Sequence, residues 1–183
     1  MLFDEPVLIG AEGARRYAAS KGVGLCDPDD LIAQQAVEKS MRNGTHDTVG
    51  CVALDVDGNL ACGTSTGGLE GSPAGRIGDS PQPGCGFYAD NRWGAVAYSG
   101  DGEQIARVTL AAKTMQAFET AEKRPVASVL HHVRALGGEV GGVSMTPGGD
   151  IGWAHSSREF AVAYISSDDA APHVYLRKSE ESQ

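Results

Sequence analysis

The spacing of apolar residues along this chain switches from helical to alternating, back to helical, and then to alternating again. Val7-Leu8-Ile9 after Pro6 is a short apolar run, and Ala11 to Ala19 reads as a helix ending near Gly22. Asp27-Pro28 has the chemistry of an N-cap followed by the first helical residue. Leu31, Ala33, Ala36, Val37 and Met41 then carry a second helix to a stop near Gly44. From Thr48 the texture becomes that of strands. Thr48 to Leu54 is apolar on both faces, as a central strand covered on two sides would be. Asp55 to Asn59 is a turn and Leu60 to Thr66 returns from it, so the Asp57-Gly58 pair predicts a hairpin rather than a calcium loop, whose later ligands are missing.

Gly67 to Gly86 is a long segment dense in glycine and proline, and loops of that length without an element of their own tend to be functional. Phe87 to Ala89 and Trp93 to Ser99 read as two more strands. Gly100-Asp101-Gly102-Glu103 turns into a single helix with apolar residues at Ile105, Val108, Ala112, Met115 and Phe118. Pro125 opens a further helix through Val129, Leu130, Val133 and Leu136, closed by Gly137-Gly138. Strands return at Gly142 to Met145, Ile151 to Ala154 and Phe160 to Ile165, and the last dozen residues, being polar, are expected to fray. The order predicts an α+β fold of strands gathered into sheets with helices packed outside, in a single domain spanning residues 1–183.

Composition narrows the functional classes. A formal charge of -9 and a pI near 4.9 argue against nucleic acid or an anionic membrane as partner, because both require a basic surface. No apolar run approaches the ~18 residues needed to cross a bilayer, and the first residues lack a basic stretch and an apolar core of the secretory kind. Cys26, Cys51, Cys62 and Cys85 have no metal-binding spacing and read as buried, reduced thiols of a cytoplasmic protein. His131 and His132 are adjacent on a helix and expected to point apart, His155 and His173 lack partner spacing, and Pro83-Gly84-Cys85-Gly86 is too weak a signature for a phosphate loop. No metal and no cofactor are expected.

Four blocks bear chemistry: His46-Asp47-Thr48-Val49-Gly50, Gly63-Thr64-Ser65-Thr66-Gly67-Gly68, Gly75-Arg76-Ile77-Gly78-Asp79-Ser80-Pro81 and Tyr98-Ser99-Gly100-Asp101-Gly102-Glu103. If the bond before Thr48 is cut, that residue carries a hydroxyl nucleophile and a free α-amine able to act as its base, since such an amine titrates near pH ~8. Thr66 at the end of the neighbouring strand is placed to hydrogen-bond and orient it. Ser99 and the Gly100 backbone N–H suit an oxyanion hole, worth ~3–4 kcal/mol per donor in comparable sites. Arg76 and Asp79 supply both signs of charge, one for a carboxylate and one for an ammonium, and read as a substrate clamp in preference to a structural ion pair within the loop. Asp101-Gly102-Glu103 reads as a helix start.

In this order and spacing the blocks resemble the N-terminal-nucleophile hydrolases of the plant-type L-asparaginase/isoaspartyl peptidase family, which includes glycosylasparaginase. The likeness runs from Thr48 to about Tyr164, and weakly over Pro6 to Tyr17. It implies a layered αββα sandwich and autocatalytic cleavage of the Asp47–Thr48 bond through an N-to-O acyl shift. Residues 1–47 would then form an α-subunit-like segment and 48–183 a β-subunit-like one. It implies that Thr48 attacks a β-aspartyl amide, assisted by Thr66, with Ser99 and Gly100 holding the oxyanion and Arg76 and Asp79 gripping the substrate's α-carboxylate and α-amine. Aspartate is the product. The substrates implied are isoaspartyl dipeptides or L-asparagine, with glycosyl-asparagine as the alternative, and the assembly is a dimer of αβ units. Asp47 is the residue glycosylasparaginases carry at the cut, whereas the Gly63–Gly68 block is closer to the isoaspartyl peptidases.

The chain departs from the family pattern in three places. Glu70-Gly71-Ser72-Pro73-Ala74 stands where a lysine is usual, and Ser99 stands where threonine is usual, keeping the hydroxyl. Family precursors also carry roughly ninety residues ahead of the segment that begins here at Pro6, including a core strand and, in many members, a cation-binding loop, so an N-terminally truncated sandwich is expected to expose an edge or face that the family covers. A truncated relative that keeps the fold and binds an amino acid or a homologous subunit without catalysis is the reading from a different class.

Overall fold

Local chemistry accounts for most of the elements in a computed structural model of the chain, which describes residues 7–27, 30, 48–69 and 71–181. The helix expected to run on to Gly44, together with His46, Asp47 and Glu70, lies outside these residues. The chain divides into two compact units, Met1–Thr45 and His46–Gln183. In the first, α1 (Ala11–Ser20) is tied by the Arg16–Glu12 pair at 3.1 Å and ends where Gly22 takes a left-handed φ of 72°, as expected.

The second unit begins with a hairpin, β1 (Thr48–Leu54) and β2 (Leu60–Thr66). Its turn is made by Asp55, whose Oδ1 accepts the backbone N–H groups of Asp57 (2.9 Å) and Asn59 (2.7 Å), while Gly58 supplies the left-handed residue at φ 82°. That turn sets the register: Leu54 faces Leu60, and the pairing runs out to Thr48 opposite Thr66. A four-stranded antiparallel sheet follows, ordered β3 (Phe87–Asp90), β4 (Gly94–Gly100), β5 (Val140–Met145), β6 (Ile151–His155). Between β4 and β5 run α2 (Gly102–Val108), α3 (Leu110–Glu119) and α4 (Pro125–Arg134). A small sheet of β7 (Val162–Tyr164) and β8 (His173–Tyr175) closes the unit.

Alternation along β4 sorts its residues between two faces. Val96 and Tyr98 join Ile105, Leu110, Val129, Val133 and Val140 in one buried cluster beneath α2–α4. Ala97 points the other way, to the β1–β2 hairpin, and the two layers approach so closely at Gly50 that a Cβ there would lie 2.9 Å from Ala97 Cβ. Tyr98 is fully buried, lies over Gly142 across the pair to β5, and bonds Thr114 Oγ1 at 2.7 Å through its hydroxyl. That partner matters, because a buried hydroxyl without one costs ~1–3 kcal/mol. Helices together with antiparallel sheets make this the α+β fold expected from the order of elements.

Four expectations need correction. The single helix after Gly100 is two, broken at Thr109 in the left-handed region (φ 49°), because the first amides of α3 bond outward: Ala111 N–H to Cys85 O at 3.1 Å and Ala112 N–H to Gly84 O at 2.9 Å. Strand β1 is not covered on both sides; Val49, Cys51 and Ala53 are exposed and only the alternate face meets the sheet. Only Cys85 among the four cysteines is buried, although all four are free thiols. The C-terminal residues up to Glu181 are held rather than frayed. His173–Tyr175 pairs with β7, Lys178 lies 4.4 Å over the Trp153 ring, and Glu181 Oε1 accepts Trp153 Nε1–H at 2.9 Å and Tyr164 O–H at 3.2 Å. Among the described residues no helix is long and apolar enough to cross a membrane.

Candidate active site

The symmetry of the hairpin about its turn brings together two hydroxyls eighteen residues apart. Thr48 opens β1 and Thr66 closes β2, and Thr48 O–H donates to Thr66 Oγ1 at 3.2 Å. The Gly68 N–H donates to the same oxygen at 3.0 Å, so Thr66 Oγ1 is fixed from a second direction. Beside this pair the long loop places Arg76 and Asp79. It is anchored by Thr64 O–H donating to Ser80 O (2.6 Å), by Gln82 and Gly86 N–H donating to Asp79 O (2.9 and 3.2 Å), and by Gln82 Nε2–H donating to Gly78 O (2.7 Å). Thr48, Thr66, Arg76, Asp79 and Gly100 line one small pocket of about 20 Å³, close to the space of a single water.

Ser99 is placed differently. It faces the hairpin side of the sheet and lines a neighbouring cleft of about 630 Å³ that Thr48 also borders, walled by β1 and by Phe160 to Ile165. A volume of that order suits a small organic ligand. Thr48 therefore stands where the small polar pocket meets the larger apolar one.

Charge in the pocket is arranged around a buried carboxylate. Asp79 is 5% exposed, and its Oδ2 has no hydrogen-bond partner among the described residues. Burial raises its pKa, opposed by the backbone N–H groups of Asp79 and Ser80 and by the Arg76 charge, while Glu103 pushes it further up. A structural Arg76–Asp79 loop pair, the alternative to the clamp, is not what the structure holds. Arg76 Nε and Nη2 donate instead to the two carboxylate oxygens of Glu103, each at 2.8 Å, and this bidentate pair raises the Arg76 pKa. Two glycines make room for it: a Cβ on Gly78 would lie 2.8 Å from Arg76 Nη1, and one on Gly102 would lie 2.6 Å from Asp79 Oδ1.

Glu103 is the site residue that sequence reasoning passed over. Asp101-Gly102-Glu103 does open α2 as expected, and a helix start explains an acidic residue without further function. The only signal for more was an arginine and a glutamate of opposite charge in two blocks that the fold had yet to bring together. Among the described residues no group of three or more His, Cys, Asp or Glu is arranged to hold a metal ion. His131 and His132 do not point apart; their ring centroids are 4.0 Å apart, because His131 Nδ1 turns back to Ser128 O at 2.8 Å.

Such a site can aim a hydroxyl, and can receive an ammonium at Asp79 beside a guanidinium. Comparison with known proteins bears on that chemistry. Residues 30–175 match the family model described as asparaginase. An isoaspartyl peptidase/L-asparaginase of Danio rerio is 40% identical over 71% of this chain and 48% of its own length. The Xenopus laevis protein of the same name is 32% identical over 92% of this chain and 59% of its own, and the Homo sapiens one is 35% identical over 83% and 55%. The chain thus spans about half the length of these curated relatives.

Proposed function

The chain belongs to the asparaginase family, and we propose that it is a self-processing threonine amidohydrolase of β-aspartyl amides, with Thr48 as nucleophile. The observation that carries this reading is the 3.2 Å contact between Thr48 Oγ1 and Thr66 Oγ1 at the mouth of the pocket that also holds Arg76 and Asp79. The fold that fits is the layered αββα sandwich of N-terminal-nucleophile hydrolases. Self-processing begins when Thr48 Oγ attacks the Asp47 carbonyl carbon. The peptide C–N bond becomes a C–O ester and the nitrogen leaves as the Thr48 α-amine; water then hydrolyses the ester to free the Asp47 carboxylate and the Thr48 hydroxyl. The released amine is the base that the hydroxyl lacked in the intact chain.

In turnover, Thr66 orients the Thr48 hydroxyl, whose proton passes to the α-amine as Oγ attacks the substrate's β-carbonyl carbon. Ser99 and the Gly100 N–H stabilise the oxyanion. The substrate's amine takes the proton as it leaves, and water cleaves the aspartyl ester to return Thr48 and aspartate. Asp79 receives the substrate α-ammonium and Arg76 the α-carboxylate, which restricts substrates to a free aspartyl head group. Isoaspartyl dipeptides and L-asparagine are favoured by the names of the relatives; a dimer of αβ units and a cytoplasmic location, in keeping with the four free thiols, complete the reading.

Intact-mass spectra of the purified chain and of Thr48→Ala test it. Wild type should separate into pieces of 47 and 136 residues while the variant stays whole. Cleavage at another bond would sink the Thr48 mechanism. Two chains that both persist at 19.0 kDa, with no aspartate released from β-aspartyl-leucine or L-asparagine, would leave a non-catalytic binding protein.

A further inference from the structure

A clamp made of a guanidinium and a carboxylate has an internal difficulty: its two halves attract each other. Arg76 and Asp79 flank the same glycine, with a Cβ on Gly102 lying 2.6 Å from Asp79 Oδ1 and 3.1 Å from Arg76 Nη2. Asp79 Oδ2 is buried and lacks a partner among the described residues. A direct Arg76–Asp79 pair would satisfy that oxygen and neutralise both groups, and it would also close the seat that an ammonium needs. The guanidinium instead gives Nε and Nη2 to Glu103, both bonds at 2.8 Å. A planar guanidinium held at two adjacent N–H groups by one carboxylate is fixed in position and plane. Its remaining N–H groups, chiefly those of Nη1 over Gly78, face away from that bond.

We propose that Glu103 is the positioning residue of this clamp: by holding Arg76 in a bidentate pair it keeps the guanidinium from closing on Asp79, and so reserves the Asp79 carboxylate for a substrate ammonium. The inference rests on the clamp reading given above and extends it to how the two charges of the clamp are kept apart. It also assigns the binding determinants unequal weight. With Glu103 holding its Nε–Nη2 edge, Arg76 offers a substrate carboxylate only part of its donor fork, and the ammonium seat on Asp79 carries more of the recognition.

Two outcomes of opposite sign separate this role from simple competition. If Glu103 merely occupied the place of a substrate carboxylate, Glu103→Gln would free Arg76 and tighten ligand binding. If it holds the clamp open, the same change lets Arg76 collapse on Asp79 and weakens binding. Calorimetric titration of L-aspartate into the full chain should show Glu103→Gln weaker than wild type by about tenfold. Glu103→Asp, which keeps the carboxylate one methylene shorter, should recover part of the loss, and thermal melts of all three chains should stay close. Equal or tighter binding by Glu103→Gln overturns the proposal. A wild type that does not bind L-aspartate overturns the clamp reading instead. In that event a crystal structure of Glu103→Gln still decides the present inference: Arg76 bonded to Asp79 supports it, and an unmoved guanidinium refutes it.

Discussion

Replacing Asp79 by asparagine should strengthen the fold while destroying the site. In the folded chain the Asp79 carboxyl is buried with one oxygen unpartnered, and burial holds its pKa above the ordinary range. In the unfolded chain it titrates near ~3.9. The unfolded state therefore loses its proton first as pH rises, and wild-type stability falls through the window between the unfolded and the folded pKa, then levels off. Asparagine has no such window. The variant's advantage should be small near pH ~4 and largest above the folded pKa.

The size follows from the contacts. Relief of a buried, unpaired charged oxygen gives ~1–3 kcal/mol, offset by losing the charge on the bonds from the Asp79 and Ser80 N–H groups, a difference of about 1 kcal/mol. The attraction of the Arg76 charge is lost and the repulsion of Glu103 is relieved, two contributions of opposite sign. A net gain of about 1 kcal/mol at neutral pH corresponds to roughly 2–4 °C in a chain of this length. Urea unfolding followed by tryptophan fluorescence, in a Thr48→Ala background so that the chain stays in one piece, measures it at both ends of the window. A variant less stable than its parent at neutral pH, or a difference that does not change with pH, would refute the assignment of Asp79 as a strained binding carboxylate. Calorimetry should show L-aspartate binding lost in the same variant.

Two further outcomes test the geometry. Thr66→Val removes the acceptor 3.2 Å from Thr48 Oγ1 and the partner of the Gly68 N–H; kcat for L-asparagine should fall by about 10²-fold with KM much less affected, as for loss of a hydrogen bond that orients a nucleophile. Gly142→Ala places a methyl 2.4 Å from Tyr98 Cε1 in the sealed core, and chemical denaturation should show a loss of about 1–3 kcal/mol, the cost of overpacking. An unchanged midpoint would mean that the β5 face opposite Tyr98 is looser than described.

Much of the fold was legible because its causes are local. Asp55 and Gly58 make the hairpin turn from their own side chain and backbone, and the turn alone then pairs Thr48 with Thr66. The helix stop at Gly22 and the proline start of α4 are likewise written in neighbouring residues. The break at Thr109 was not legible, because helical periodicity continues through it and the carbonyls of Gly84 and Cys85 that divert the amides arrive from a distant loop. The C-terminal residues read as frayed for the same reason: Trp153, Tyr164 and Glu181 meet only after the chain has folded.

For the site, the sequence by itself determined the candidate groups and the family, since four separated blocks each carry their chemistry in adjacent residues. Tertiary structure decided how the charges are shared. Arg76 and Glu103 stand 27 positions apart, in a loop and in the first turn of α2, and neither block specifies the other. Coulombic attraction acts through space and not along the chain. Only the packing of α2 against the long loop could settle that Arg76 pairs with Glu103 and leaves Asp79 with an open oxygen.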